Sequence, residues 1–170
     1  MKIFLVLLLV SVLSVGAFAQ KDEKSIGLNL GKGGDIGSLL IGVRGTYGIG
    51  DRITIAPNFN YFLQSEGAEQ IEANINLHYI LYTPTPSLIF YPIFGFIYSK
   101  IDYKTDKKYD IFYGFHVVHS KTTYHRIGGN LGVGLGYYLG DNLLVGTEFK
   151  YACIADFQQP VLSVNVNYIF

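Results

Sequence analysis

The stretch VLSVNVNYIF, Val161 to Phe170, alternates residue by residue. Leu162, Val164, Val166, Tyr168 and Phe170 share one face of a strand, Ser163, Asn165 and Asn167 share the other, and only Ile169 breaks the pattern. A strand built this way needs hydrocarbon on one side and water or polar side chains on the other. With nothing following Phe170 to cover the apolar row, the stretch is expected to be the closing strand of a barrel embedded in lipid.

Similar segments recur along the chain. Strands are predicted at Lys24 to Gly31, Ser38 to Ile49, Arg52 to Leu63, Glu69 to Tyr82, Ser87 to Tyr103, Arg126 to Leu139, Asn142 to Ala155 and Val161 to Phe170. At roughly 19 residues per strand and connection, the eight match a barrel whose strands take about 9 to 11 residues to cross a bilayer. In the third, Ile53, Ile55, Pro57, Phe59, Tyr61 and Leu63 point outward while Thr54, Ala56, Asn58 and Asn60 point inward. The fourth places Ile71, Ala73, Ile75, Leu77, Tyr79 and Leu81 outside Glu72, Asn74, Asn76 and His78. In the sixth, Leu131, Val133, Leu135 and Tyr137 lie outside Asn130, Gly132, Gly134 and Gly136. The fifth is apolar on both faces, so Phe90, Phe94, Phe96 and Tyr98 lie outside with Tyr91, Ile93 and Ile97 inside, or the reverse. Gly50-Asp51, Thr83 to Pro86 and Gly140-Asp141 are short turns that suit the periplasmic end, where both termini then lie. Tyr47, Tyr79, Tyr137 and Tyr168 near that end, and Tyr61, Tyr103 and Tyr151 near the other, are expected to form two aromatic girdles.

Residues 1–19 read as a cleavable export signal: Lys2, an apolar run from Ile3 to Val10, and the small-x-small pattern Ala17-Phe18-Ala19. Residues 20–170 then form the barrel domain. The apolar run is too short for a membrane helix, which needs about 20 residues. The residue directly after the cut, Gln20, is not cysteine and Cys153 is the only one present, so neither a lipid anchor nor an internal disulfide is expected, and Cys153 is expected to be packed. Without the leader, twelve Lys and Arg face thirteen Asp and Glu, which leaves no basic field for nucleic acid. Twenty glycines and fourteen tyrosines disfavour a helical protein. A positive mean hydropathy of +0.28, in an exported chain without helical spans, directs it to a closed sheet. A soluble lipocalin-like barrel would invert the two faces, with its apolar rows inside.

Counting from the turns places Arg44 and Glu148 at similar heights on the polar face, with Lys150 and Glu72 above them. An unpaired ion in so narrow an interior is costly, so the expected pairs are Arg44 with Glu148 and Lys150 with Glu72. A barrel of eight strands is just wide enough for side chains to fill. A narrow channel for ions or small solutes, in which these charges exchange partners, is the alternative. His78 is expected to be a hydrogen-bonded interior residue without chemistry.

Lys104 to His125 is the one long link. It carries Lys107, Lys108, Phe112, Phe115, His116 and His119, and its Phe112 to His119 segment can extend the fifth and sixth strands above the membrane as a hairpin with an edge open to a foreign strand. The other reading is a solvated loop whose lysines lie near lipopolysaccharide. His116 and His119 would point to opposite faces of a strand, which argues against a metal site with His125. His119 and Ser120 face apart in the same way, against a hydrolase pair. No cofactor, metal or catalytic residue is expected, and a lipid-modifying enzyme is the least favoured function.

With the terminal Phe170, Tyr168 two before it, eight strands and a leader, the chain resembles the porin-family outer-membrane β-barrel proteins of Gram-negative bacteria, the small eight-stranded type that includes outer membrane proteins A and X. The resemblance spans nearly all of residues 24–170 and carries no catalytic motif. It implies an all-β, antiparallel up-and-down transmembrane barrel, monomeric, surrounded by outer-membrane lipid and lipopolysaccharide. It also implies that Tyr168 and Phe170 form the signal read by the barrel assembly machinery. Protruding-sheet members are associated with adhesion, which residues 104–125 would parallel through a surface partner. Unlike outer membrane protein A, the chain is not expected to carry a peptidoglycan-binding domain after the barrel.

Overall fold

The computed structural model describes residues 21–33, 38–65, 68–81, 85–111, 114–154 and 157–170; the side chains of 64, 65, 104–111, 114–121 and 157 are outside that description. Eight strands run β1 (Lys24–Gly33), β2 (Leu39–Gly48), β3 (Ile53–Ser65), β4 (Ala68–Tyr79), β5 (Leu88–Ile111), β6 (Gly114–Tyr138), β7 (Leu143–Ile154) and β8 (Phe157–Ile169). Each pairs antiparallel with the next, and β8 returns to β1 to close the barrel. Following the registers from Gly27 through Arg44, Asn58, Asn74, Ile97, Gly128 and Ile154 arrives at Phe157, ten residues from Asn167, the direct partner of Gly27 in β8. That stagger is what a closed ring requires, and it tilts the strands by roughly 35–45°.

Alternation decides which face is which. Ile26, Leu28 and Leu30 of β1, Ile41 and Val43 of β2, Phe59 of β3, Ile75 of β4, Leu131 of β6 and Val164 of β8 are all exposed on the exterior. Asn29, Asn58, Asn60, Asn74, Asn76, Asn130, Asn165 and Asn167 are buried within. An apolar belt of that extent far exceeds the few hundred Å² that a soluble monomer leaves uncovered, and only hydrocarbon makes it stable. The lipocalin-like inversion is therefore excluded.

The fifth strand resolves with Phe90, Phe94, Phe96 and Tyr98 outside and Tyr91, Ile93 and Ile97 buried inside. Its inward isoleucines belong to apolar plugs near the two ends of the barrel. Ile80, Ile89, Tyr91 and Ile93 pack with Tyr138 and Leu144 at the end carrying the short turns, and Ile97, Ala152 and Ile154 pack toward the other. The polar interior lies between them. At the turn end, Gly140 has a φ of 72°, which glycine adopts without the strain a side chain would bring. Phe170 N–H donates to Lys24 O at 2.9 Å, so the two ends of the described chain meet there.

Three expectations change. Cys153 is a free thiol exposed on the exterior, because its odd position in β7 shares the outward row with Phe149 and Tyr151. Tyr103 pairs with Thr122 and with buried Ala68, so it has the phase of the inward face and meets Tyr124 edge-on at 5.8 Å instead of joining a girdle. At the end opposite the turns, chain length lies in strand and not in loop. Only residues 66–67 separate β3 from β4, only 155–156 separate β7 from β8, and the 104–125 segment is almost wholly β5 and β6.

Candidate functional site

Two places concentrate polar chemistry: the middle of the barrel and the ribbon that leaves it. In the middle, Arg44 Nη1 lies 2.6 Å from Glu148 Oε1, with both side chains buried. Lys150 Nζ is 3.6 Å from the other carboxylate oxygen of Glu148, and Tyr91 Oη donates to Oε1 at 3.1 Å. His78 stacks on Tyr91 with ring centroids 4.6 Å apart and brings Nε2 to 4.0 Å from Glu148. Glu148 is the hub, held by two cations and a phenol.

The expected Lys150 to Glu72 contact does not form. Glu72 instead accepts from three side-chain amides, Gln70 Nε2 at 2.7 Å, Gln159 Nε2 at 3.1 Å and Asn74 Nδ2 at 3.5 Å. Two residues apart on one strand face, Glu148 and Lys150 are neighbours whatever the strand register. Lys150 and Glu72 line one small cavity without forming an ion pair. The four charges still sum to zero within one closed interior.

Glycines set the reach of these side chains. Register places Tyr91, Gly134 and Glu148 side by side on β5, β6 and β7. The Tyr91 ring lies over Gly134, in the space a Cβ would occupy, and so touches the carboxylate one strand further on. The same device works across Gly95, where Asn130 Nδ2 donates to Asn76 Oδ1 at 2.9 Å, and across Gly42, where Asn29 Nδ2 donates to Asn60 Oδ1 at 3.3 Å. Sequence reading missed Tyr91 and these bridges. Their signal, an inward glycine between two polar residues, exists only once the registers are known.

Side chains fill the space. A cavity of about 30 Å³ touches Glu23, His78, Tyr91 and Tyr138 toward the turn end, and one of about 10 Å³ touches Glu72 and Lys150 toward the other. Each has room for about one or two waters. The Arg44 to Glu148 bond lies between them. No group of three metal-ligating side chains occurs among the described residues.

The ribbon is the second place. β5 pairs with β4 only as far as Tyr103 with Ala68, and β6 pairs with β7 only from Gly128 with Ile154. Beyond those points β5 and β6 pair with each other alone, out to Ile111 with Gly114. The eight β5 residues past Tyr103 rise by roughly 27 Å at strand spacing. Within it, Lys107 pairs with Val118, Lys108 with Val117, Phe115 with Asp110, His116 with Tyr109 and His119 with Asp106. Their side chains, and Phe112 altogether, are outside the described residues. At the root, Tyr98 Oη and His125 Nδ1 are 2.7 Å apart, Thr123 Oγ1 donates to Asp102 Oδ1 at 2.6 Å, and Arg126 lies over the Tyr124 ring at 5.6 Å. Tyr168 and Phe170 face outward at the turn end.

A closed ring of eight tilted strands, greasy outside and amide-lined inside, is matched over residues 5–170 by the family model for the outer membrane protein beta-barrel domain. The chain belongs to that family. Among solved structures, the N-terminal β-barrel domain of Pseudomonas aeruginosa OprF is similar at a TM-score of 0.65 and 14% identity, over 88% of this chain and 98% of that one. Ail, the attachment invasion locus protein of Yersinia pestis, is similar at 0.55 and 12%, over 89% and 100%. P. aeruginosa OprG is similar at 0.59 and 13%, over 90% and 98%. At these identities the likeness shows the shared fold. No curated protein sequence matches. As a member of the outer membrane beta-barrel family the protein is an outer-membrane barrel, and its exterior rows face lipid.

Proposed function

We propose that this outer-membrane barrel is a non-enzymatic anchor that presents the β5–β6 ribbon outside the cell as a strand-pairing surface for a partner. The pair of open edges carries the reading. Past Tyr103 and before Gly128, two strands offer backbone donors and acceptors that β4 and β7 do not cover. Edges of this kind accept foreign strands, and lysines blunt indiscriminate pairing. Lys104, Lys107, Lys108 and Lys121 supply that charge and lie where lipopolysaccharide phosphates would meet them. Short turns at the Lys24 and Phe170 end favour a periplasmic placement of that end, with the ribbon outside. Tyr168 and Phe170 are then placed for the barrel assembly machinery. The name of Ail, a fold relative, refers to attachment, which fits the same use of a barrel. A side-chain-filled interior supports anchoring over conduction.

Thr105 and Ser120 are register partners, so residues 106–119 can be replaced by an Asn-Gly turn without altering the ladder below. Bacteria expressing the trimmed chain should lose attachment to cultured epithelial monolayers while keeping heat-modifiable migration on gels. Full attachment by a correctly assembled trimmed chain would rule the proposal out.

A further inference from the structure

On the lipid-facing wall of β2, β3 and β4 the barrel has a depression of about 690 Å³, within the range of small-molecule sites, about 300–1,000 Å³. Its floor is small or flat: Gly45, Pro57 and Ala73. Its walls are larger, among them Ile26, Phe59, Ile75 and Phe96. The β2–β3 ladder runs unbroken from Leu40 with Phe62 to Arg44 with Asn58 and resumes at Tyr47 with Ile55. The two missing pairs are Gly45 with Pro57, which has no N–H to donate, and Thr46 with Ala56 beside it. Glycine and proline side by side weaken a strand within a membrane, where every lost backbone bond is costly.

Packing does not demand the glycine. A Cβ at Gly45 would lie 3.7 Å from Ser25 O and 3.9 Å from Pro57 Cγ, ordinary contact, whereas one at Gly27 or Gly42 would collide with backbone. At Gly45 the missing side chain makes space on the outside of the barrel.

Toward the turn end, the next outward residues after Ile26 and Gly45 are the register partners Lys24 and Tyr47. Lys24 Nζ lies over the Tyr47 ring, 6.0 Å from its centroid, and Tyr47 Oη donates to Asp22 Oδ1 at 3.0 Å. A cation and an anion thus flank one interfacial tyrosine directly beside the apolar groove. That pairing complements a zwitterionic headgroup, phosphate toward Lys24 and ammonium toward Asp22.

We propose that the groove over Gly45, Pro57 and Ala73, with Lys24 and Asp22 at its rim, is a binding site for one two-chain phospholipid of the phosphoethanolamine class. An acyl chain fills the depression, and the headgroup spans the Lys24 and Asp22 charges around Tyr47. Assignment to the periplasmic leaflet rests on the orientation proposed above; lipid retention by the purified barrel does not depend on it.

The test is native mass spectrometry of the full barrel released from bilayers of equal phosphatidylethanolamine and phosphatidylglycerol. The wild-type barrel should retain one lipid, predominantly phosphatidylethanolamine. Gly45→Leu, which fills the groove, should lower retention about tenfold, equivalent to about 1.4 kcal/mol. Asp22→Asn keeps a residue type that tolerates the φ of 71° found there and should shift retention toward phosphatidylglycerol. Heat-modifiable migration of each variant establishes that it is folded. Equal retention by wild type and a folded Gly45→Leu, retention without headgroup preference, or a dimer in place of a lipid adduct would each overturn the proposal.

Discussion

Replacing Arg44 with methionine keeps the bulk of the side chain and removes its charge, leaving Glu72 and Glu148 against Lys150 alone. Losing one partner of a buried pair costs about 3–5 kcal/mol because the survivor stays desolvated. Here the survivor is not abandoned. Lys150 Nζ remains 3.6 Å from Glu148 where Arg44 stood at 2.6 Å, so at equal screening it supplies about 0.7 of the attraction that Arg44 gave, by the inverse dependence on distance. Tyr91 continues to donate. The expected loss is therefore at the lower end, about 3 kcal/mol. Adding Glu148→Gln removes the under-compensated charge and leaves Lys150 against Glu72, so the double variant should recover about 1–2 kcal/mol of that loss. Unfolding by urea from lipid vesicles, followed by gel migration and far-ultraviolet circular dichroism, measures both; the chain has no tryptophan to report by fluorescence. A loss below about 1 kcal/mol with no recovery in the double variant is the size expected of an exposed pair. That result would mean water screens the interior, and the side-chain plug would have to be given up.

Gly134→Ala drives a Cβ into the Tyr91 ring, so the ring must leave Glu148; overpacking of this kind costs about 1–3 kcal/mol, and an unchanged urea midpoint would contradict the bridge across Gly134. Glu23, just before β1, is partly buried beside Tyr138 Oη at 3.3 Å, and burial raises its pKa above the ordinary carboxylate value. The folded chain therefore binds this proton more tightly than the unfolded one, so the group adds stability as pH falls through the carboxylate range and removes it as pH rises. Glu23→Gln should be more stable than wild type at neutral pH, with the advantage vanishing in acid; an advantage independent of pH between 4 and 8 in urea titrations would refute it.

Legibility in the sequence followed the contrast between faces. β3, β4 and β8 set Asn58, Asn74 and Asn165 against Phe59, Ile75 and Val164, so their orientation could be read directly. β5 could not, because Ile89, Ile93 and Ile97 close the interior with the same apolar chemistry that Phe90, Phe94 and Phe96 turn to lipid. Composition separates lipid from amide but not lipid from an apolar plug. Counting from turns places Arg44 and Glu148 at one height, and an ion pair between them follows if they also face each other. The count gives no position around the ring, so it does not distinguish Glu72 from Glu148, the neighbour on its own strand, as the partner of Lys150. Cys153 shows the same limit: a small sulfur side chain suits either face, and only its parity in β7 decides.

The two edges of the ribbon are not equivalent, and the difference bears on how a partner would dock. β5 is uncovered from Lys104 to Ile111, whereas β6 is uncovered from Gly114 to Ile127, because β7 ends at Ile154 before it can follow further. A strand added beside β6 therefore gains a longer run of backbone bonds than one added beside β5, and it starts where the ring's own ladder stops, against Ile154. The first residues it meets are stiffened. Tyr124 is held by Tyr103 and Arg126, and Thr123 by Asp102, so the root of the β6 edge is ordered before a partner arrives. Preorganised backbone loses less entropy on pairing than a mobile loop does. The eight pairings close the ring, broken only briefly between β2 and β3, and its charges lie inside, which leaves the β6 edge as the longest uncovered run of strand among the described residues.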